Sequence, residues 1–152
     1  NKISNKEFND VFNTNFVSAF NFYKEIFPLI KNKSISSRII NFTSIFSNRT
    51  FEKRTSYSVS KAALKMLTKN LALEWSSYNN TVNCISPGPF LTEINFPVLK
   101  DKKNYDEFCK KIPLKRFGKV EEIISSVLFL ASEGSSYVNG SEIVVDGGWT
   151  IK

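Results

Sequence analysis

Long stretches with a helical repeat of apolar residues alternate along this chain with short runs of β-branched and aromatic residues. Helices are predicted over Phe8–Ile30 with an end near Pro28, over Ser56–Ser76 and over Val120–Ser132. Strands are predicted over Arg38–Ser44, Thr81–Ser86 and Ser141–Asp146. Because strands separated by such helices need crossover connections, we expect an α/β fold with a parallel sheet and helices on both faces.

The segments between these elements carry predictions of their own. A polar turn is expected at Ser34–Ser37, and an irregular loop over Ile45–Thr55. Pro87-Gly88-Pro89 can continue neither a strand nor a helix, so the chain turns there. Phe90–Arg116 mixes aromatic residues, lysines and Pro113, and we expect a mobile helical excursion rather than core.

Three strands form only part of a doubly wound sheet, and an open parallel edge exposes apolar strand surface. The chain starts at Asn1, without an initiator methionine or the apolar core of a signal peptide. We therefore expect residues 1–152 to be a single partial domain, the C-terminal portion of a doubly wound sheet whose N-terminal βαβ units are missing.

The composition excludes several classes of enzyme and binding site. Hydrophobic residues make up 41% of the 152, which is ordinary for a globular protein, and no apolar run approaches the roughly 20 residues of a membrane helix. The chain has no histidine, and its two cysteines, Cys84 and Cys109, form no CxxC pair. Most zinc sites and both Ser-His-Asp and Cys-His catalysis are thus excluded, and we expect no metal, no membrane partner and a reducing, cytoplasmic compartment.

A formal net charge of +7 is compatible with nucleic-acid binding. A nucleic-acid binder would, however, need a contiguous Lys/Arg face. Here Lys and Arg are scattered singly or in pairs among Asn and Ser, so we expect no nucleic-acid partner.

Three residues form the most informative cluster for chemistry. Ser44 lies at the end of a predicted strand, while Tyr57 and Lys61 lie four residues apart at the start of a predicted helix. This spacing puts the phenol and the ammonium on the same helix face. Because a nearby positive charge stabilises a phenolate, Tyr57 becomes a usable general acid/base, and Ser44 could hydrogen-bond the same reacting oxygen.

The segment around this cluster resembles a known family. Tyr57-Ser58-Val59-Ser60-Lys61-Ala62-Ala63-Leu64 is similar to the YxxxK signature of the short-chain dehydrogenase/reductases, whose catalytic serine lies thirteen residues before the tyrosine, as Ser44 does here. Further similarities occur at Asn13-Thr14-Asn15-Phe16, at Asn83-Cys84-Ile85-Ser86-Pro87-Gly88 followed by Thr92, at Asn139-Gly140 and at Val144-Val145-Asp146-Gly147-Gly148. The resemblance implies a Rossmann-type fold and an NAD(P)-dependent oxidoreductase that moves hydride between nicotinamide and a carbonyl or alcohol.

The resemblance also implies a role for each catalytic candidate. Tyr57 would exchange a proton with the substrate oxygen, and Ser44 would orient and polarise that oxygen. Lys61 would hold the nicotinamide ribose hydroxyls and tune Tyr57 electrostatically. Asn15 would bend its helix and link Lys61 to solvent through a water molecule.

The turn after the second predicted strand would bind the nicotinamide end of NAD or NADP. Its candidate cofactor-binding residues, besides Tyr57 and Lys61, are Pro87, Gly88, Phe90 and Thr92. The Phe90 backbone would lie near the carboxamide, and the Thr92 hydroxyl near the amide or the diphosphate.

The sequence departs from the family pattern at the other end of the cofactor. It has neither a Gly-rich turn after a first strand, which binds pyrophosphate at a helix N-terminus, nor the residue that selects NAD or NADP. Two interpretations stay open: an enzyme of which this is the C-terminal portion, inactive as a fragment, or a truncated, inactive homologue that serves as an oligomer-interface or binding module. The intact spacing of Ser44, Tyr57 and Lys61 favours the enzyme.

The substrate is predicted from two further stretches. Residues 87–95 and 112–118 are similar to family members called gluconate 5-dehydrogenases, which act on sugar acids, and the chain more loosely resembles 3-oxoacyl carrier-protein reductases. We expect a small-molecule carbonyl or alcohol substrate, with sugar acids or other polyols preferred.

The assembly is predicted from the two long helices, over Phe8–Phe27 and Ser56–Ser76. Their apolar surface exceeds what one sheet face can cover. The residues concerned include Phe12, Phe16, Phe20, Phe27, Leu67, Leu71 and Trp75. Because members of the family commonly pair these helices with symmetry mates, we expect a homodimer or homotetramer.

Overall fold

The computed structural model describes residues 3–32, 36–95 and 100–151, so the predicted turn at Ser34–Ser37 lies partly outside the described residues. Besides short 3-10 turns, the helical elements within these ranges are α1 (Asn5–Phe12), a π-helical turn (Asn13–Val17), α2 (Ser18–Ile30), α3 (Thr55–Trp75), α4 (Lys102–Lys110) and α5 (Ile124–Ala131). The strands are β1 (Ser37–Phe42), β2 (Asn80–Pro87) and β3 (Glu142–Val145). None of the helices in these ranges combines the length and apolar character needed to cross a bilayer.

The three strands form one parallel sheet in the order β1-β2-β3. Every residue of the central strand from Asn80 to Ser86 is buried. Because successive side chains of a strand point to opposite faces, continuous burial means that both faces of β2 are covered. Helices α3 and α5 both pack on β1 and β2, and the prediction of an α/β fold is confirmed.

Several predicted boundaries differ from the structure, most by one or two residues; the predicted helix Val120–Ser132 begins as a 3-10 turn over Val120–Ile123. The first helical segment begins at Asn5 and does not stop near Pro28 but continues to Ile30. The proline removes one N–H from the last turns, and the Lys31 N–H still closes the helix on the Phe27 carbonyl at 3.0 Å. Strand β1 ends at Phe42 rather than Ser44, because the Ser44 side chain caps a 3-10 turn over Ile45–Ser47.

The main core lies between the sheet, α2 and α3. Tyr23 packs its ring edge against Trp75 with centroids 5.9 Å apart, and Leu71 and Val82 complete the centre of the cluster. Leu71 and Trp75 were predicted to belong to the helix surface that the sheet does not cover. They are only 7% and 5% exposed and therefore belong to this core. By contrast, Phe20 is 45% exposed, in agreement with that assignment.

A second, smaller core joins α4 to the loops that follow it. Cys109, Ile112 and Phe117 are buried there, with Phe108 and Trp149 packed against them. The prediction that Phe90–Arg116 is an excursion rather than core is therefore wrong for Phe108, Cys109 and Ile112. The Phe108 ring stacks on two rings from outside the segment, Phe117 and Trp149. Spacing along the chain does not indicate such contacts.

Candidate active site

A cavity of about 360 Å³ lies at the carboxyl ends of β1 and β2. Ligands bind in the crevice outside the carboxyl ends of the strands in open parallel sheets. The sequence-predicted site residues that line this cavity are Ser44, Tyr57, Pro87, Gly88, Phe90 and Thr92. Asn15 and Lys61 do not line the cavity. Asn15 hydrogen-bonds α3, the helix that carries Tyr57, and Lys61 hydrogen-bonds the end of β1.

Ser44 is held in place by its own turn and by β2. Its Oγ accepts a 3.2 Å hydrogen bond from the Phe46 N–H, and its carbonyl oxygen lies 3.3 Å from the Ser86 hydroxyl. The side chain is buried, yet it faces the cavity. Because the Oγ accepts from Phe46, its own proton stays available for an oxygen in the cavity.

Tyr57 and Lys61 lie together on the first turns of α3, as their spacing predicts. The Lys61 Nζ lies 5.8 Å from the centroid of the Tyr57 ring and donates a 2.9 Å hydrogen bond to the Phe42 carbonyl. Burial lowers the pKa of Lys61 below its ordinary value. The Tyr57 hydroxyl lines the cavity and has no hydrogen-bond partner among the described residues.

Asn15 lies in the π-helical turn between α1 and α2. Its amide Nδ2 donates a 3.0 Å hydrogen bond to the Ser60 hydroxyl, which in turn donates to the Tyr57 carbonyl at 2.8 Å. A π-helical turn interrupts the regular hydrogen-bond ladder of a helix and is frequent at functional sites. The turn thus anchors Asn15 beside α3, next to the residue that precedes Lys61.

The turn after β2 is fixed by close backbone packing. A Cβ at Gly88 would lie 2.6 Å from the Asp146 Cβ and 2.7 Å from its Cα, so no side chain fits there. The Phe90 carbonyl accepts hydrogen bonds from the Thr92 N–H at 2.9 Å and from the Asn95 amide at 2.7 Å. The Phe90 N–H makes no hydrogen bond with the described residues.

A polar network supports the strand ends from behind the cavity. Glu142 on β3 pairs with Lys65 at 2.5 Å and accepts hydrogen bonds from Asn48 at 2.9 and 3.0 Å and from Ser86 at 2.5 Å. The Ser86 hydroxyl also lies 2.6 Å from the Thr43 hydroxyl, in the cavity wall. Burial raises the pKa of Glu142, but the bonds from Lys65, Ser86 and Asn48 outweigh this and lower the pKa, so the carboxylate stays ionised.

Several lining residues were missed by the sequence analysis. Arg54, immediately before α3, and Asn95, three residues after Thr92, bring polar groups to the cavity. The other missed residues are Thr43 and a set of apolar side chains, half of them aromatic: Ile45, Phe46, Phe51, Pro89, Phe108, Val120, Ile123 and Trp149. Proximity to Tyr57 in sequence could have identified Arg54. No local pattern indicates Phe108 or Trp149, because the fold brings them from distant segments.

The sequence of this chain matches a known protein family along nearly its whole length. Residues 1–150 match the family model described as enoyl-(acyl carrier protein) reductase. Over 148 residues, the chain is 40% identical to a 3-oxoacyl-(acyl-carrier-protein) reductase from Chlamydia trachomatis serovar D. The aligned region covers 97% of this chain and 58% of the relative.

Solved structures share the fold over nearly the whole chain. The crystal structure of a gluconate 5-dehydrogenase from Burkholderia cenocepacia J2315, in complex with NADP and tartrate, superposes with a TM-score of 0.93 at 31% identity and covers 99% of this chain and 58% of that one. A 4-hydroxyisoleucine dehydrogenase complexed with NADH gives a TM-score of 0.93 at 31% identity, over 98% of this chain and 61% of that one. The chain thus spans about three fifths of the length of the proteins that it matches.

Proposed function

Because the chain belongs to the short-chain dehydrogenase/reductase family, we propose that it forms the catalytic part of an NAD(P)-dependent oxidoreductase acting on a carbonyl or alcohol group. The observation that carries this proposal is that Ser44 and Tyr57 line the same cavity, with the Lys61 ammonium 5.8 Å from the centroid of the Tyr57 ring. A proton donor, a hydrogen-bond donor and a nearby cation are what carbonyl reduction requires at the oxygen atom.

In the reductive direction, Tyr57 donates its hydroxyl proton to the substrate oxygen while Ser44 holds that oxygen by a hydrogen bond. A bound nicotinamide supplies the hydride that forms the new C–H bond at the carbonyl carbon. The Lys61 ammonium stabilises the phenolate that Tyr57 becomes, and this interaction is strong because the site is partly shielded from water. Alcohol oxidation runs through the same groups in reverse.

The proton that Tyr57 gives up is replaced from solvent. We propose that Asn15 holds a water molecule that passes a proton towards Lys61. The π-helical turn at Asn13–Val17 supports this role, because such a turn leaves backbone groups available for other partners.

The residues present fit the nicotinamide end of NAD or NADP. An ammonium has three donors, of which Lys61 uses one on Phe42 among the described residues, so donors remain for ribose hydroxyls. The Phe90 carbonyl is already occupied twice, and the unpaired Phe90 N–H is therefore the backbone group left for a carboxamide oxygen. The Thr92 hydroxyl and the wall formed by Pro87 and Gly88 complete this half of the site.

The remaining parts of the proposal concern the whole protein. We propose that residues 1–152 form a single partial domain and that the adenosine and phosphate groups bind elsewhere in the protein. A homodimer or homotetramer and a reducing, cytoplasmic compartment belong to the same proposal, and the two unpaired cysteines, Cys84 and Cys109, are consistent with that compartment. The alternative, an inactive homologue that serves as a binding module, stays a prediction.

The test is an NADH and NADPH oxidation assay with the complete protein and a panel of carbonyl compounds. Tyr57→Phe should lower kcat by about 100-fold or more while the cofactor still binds by calorimetry, because the proton donor is lost and the ring remains. Tyr137→Phe is the matched control, since Tyr137 is fully exposed and lies outside the cavity. If Tyr57→Phe keeps most of the activity, Tyr57 has no part in the reaction. If the unaltered protein turns over no carbonyl compound, the binding-module alternative is favoured.

A further inference from the structure

Two groups of aromatic side chains, the first and the second wall, line the cavity: Phe46 with Phe51, and Phe108 with Trp149. In the first wall, the Phe46 and Phe51 rings lie 5.5 Å apart, and the Phe46 ring meets the Tyr57 ring edge to face at 6.3 Å. This wall therefore adjoins the proposed proton donor. Phe51 lines the cavity and is 44% exposed.

The second wall is backed by the smaller core. The Phe108 ring stacks between Phe117 and Trp149, with centroids 5.1 Å apart on each side and interplanar angles of 28° and 27°. Phe117 is buried behind the stack, while Phe108 and Trp149 line the cavity. A stack anchored in this way keeps its position when the cavity fills.

Among the described residues that line the cavity, most of the polar groups already have a part in the proposed reaction. The Ser44 and Tyr57 hydroxyls are committed to the reacting oxygen, and Thr92 and Asn95 lie on the turn proposed to bind nicotinamide. A polyol would bring several hydroxyls to the aromatic walls, and each buried hydroxyl without a partner costs about 1 to 3 kcal/mol. Apolar walls with a few placed polar groups instead fit a ligand with a hydrocarbon or aromatic part.

One charged side chain completes this subsite. Arg54 lines the cavity and makes no ion pair or side-chain hydrogen bond with the described residues. It precedes Tyr57 by three residues, and its backbone N–H donates a 3.3 Å hydrogen bond to the Phe51 carbonyl. A guanidinium without a protein partner is suited to a bidentate contact with a carboxylate.

We propose that the site takes a carbonyl compound whose aromatic or similarly sized apolar group lies between Phe46 and Phe51 on one side and Phe108 and Trp149 on the other, with a carboxylate of the same compound on Arg54. This inference rests on the proposed oxidoreductase function and narrows its substrate class. It differs from the sugar-acid preference indicated by sequence resemblance, while it keeps an anionic group. In the reaction, the carbonyl carbon gains the hydride, its oxygen gains the proton of Tyr57, and NAD(P)H is oxidised to NAD(P)⁺.

The first experiment compares kcat/KM of the complete protein for benzoylformate, acetophenone and 5-keto-D-gluconate. We expect benzoylformate to exceed acetophenone by about tenfold, because only the former carries a carboxylate for Arg54. We expect 5-keto-D-gluconate to be the poorest of the three. A higher kcat/KM for 5-keto-D-gluconate than for benzoylformate would overturn the inference and leave the proposed function intact.

Variants then separate the two recognition elements. Arg54→Gln should lower kcat/KM for benzoylformate about tenfold more than it lowers kcat/KM for acetophenone. Lys53→Gln is the matched control. It removes the same charge from the residue next to Arg54, and the Lys53 side chain does not line the cavity. Phe51→Ala should lower kcat/KM for both aromatic ketones by about tenfold, with little risk to folding because the ring is exposed. Equal loss with Lys53→Gln, or no loss with Phe51→Ala, contradicts the inference.

A binding measurement keeps the inference testable if no ketone is turned over. Calorimetry should detect phenylacetate binding to the complete protein, weakened by Arg54→Gln and by Phe51→Ala. Binding with this dependence in a protein without turnover would reject the proposed function but support the aromatic subsite. No phenylacetate binding and no turnover would reject both.

Discussion

The amide of Asn15 donates a 3.0 Å hydrogen bond to the hydroxyl of Ser60 and thereby joins the π-helical turn to α3, one residue before Lys61. Two roles for Asn15 are compatible with this contact. It can hold α3 in position through Ser60, or it can hold the water proposed to pass protons to Lys61. The two roles predict different results for substitutions of Asn15 and of Ser60, the two partners of this hydrogen bond.

We predict that Asn15→Ala lowers kcat more than Ser60→Ala. Each variant breaks the hydrogen bond, which costs about 1 kcal/mol of unfolding free energy. Only Asn15→Ala also removes the proposed water site. The check is kcat together with urea unfolding of both variants and the double variant, and equal losses of kcat would assign Asn15 a purely positioning role.

Lys61 should be needed for both cofactor binding and turnover. Lys61→Met removes the proposed ribose donor and the charge beside Tyr57, so we expect weaker cofactor binding by calorimetry and a kcat lowered by about 100-fold. Lys69→Met is the matched control, because Lys69 is an exposed lysine two turns further along α3. Normal cofactor affinity in Lys61→Met would contradict the dual role.

The lowered pKa of Lys61 predicts a pH dependence. Burial disfavours the charged ammonium, so Lys61 loses its proton at a lower pH than an exposed lysine does. Cofactor affinity should therefore fall as the pH rises through that pKa, below the ordinary value of 10.5. Lys61→Arg should remove this alkaline loss, because a guanidinium stays charged. Calorimetric titrations across this range provide the measurement.

The Glu142 network should stabilise the protein at neutral pH. Glu142→Gln removes the charge that Lys65 faces, and we expect a loss of about 1 to 3 kcal/mol of unfolding free energy at pH 7. Because the folded pKa of Glu142 is lowered, its contribution is full above the ordinary value of 4.5 and disappears as the pH falls through the folded pKa. Denaturant unfolding at pH 7 and at lower pH measures both effects. Glu122→Gln, at the exposed pair with Arg116, should cost less at pH 7.

Assembly should depend on an apolar stripe along α3. Val59, Met66 and Leu73 recur at intervals of seven residues and are 44%, 56% and 78% exposed. We predict a homodimer or homotetramer by light scattering of the complete protein, and dissociation by the double substitution of Met66 and Leu73 to Lys. Tyr137→Lys, at a fully exposed ring, is the control and should leave the assembly intact. A monomer at micromolar concentration in the unaltered protein would contradict the prediction.

The parts of the fold that were predictable are those encoded by local pattern. The apolar repeat of α3 and the spacing of Tyr57 and Lys61 are properties of one helix, so the sequence indicates both within a residue or two. In the stack of Phe108 on Phe117 and Trp149, the two partner rings lie 32 residues apart along the chain. Aromatic content alone does not indicate this contact. Trp75 was misassigned for a related reason: an apolar helix residue can face either a core or another subunit.

The close approach of Gly88 to Asp146 joins two turns of the site through one residue. A Cβ at Gly88 has no room beside Asp146, and Asp146 accepts hydrogen bonds from the Gly148 and Thr150 N–H groups at 2.8 Å. The Arg49 guanidinium donates to the Thr150 carbonyl, so the loop that carries Phe46 and Phe51 is attached to the same segment. A substitution at Asp146 would therefore disturb the turn after β2, the position of Trp149 and this loop together.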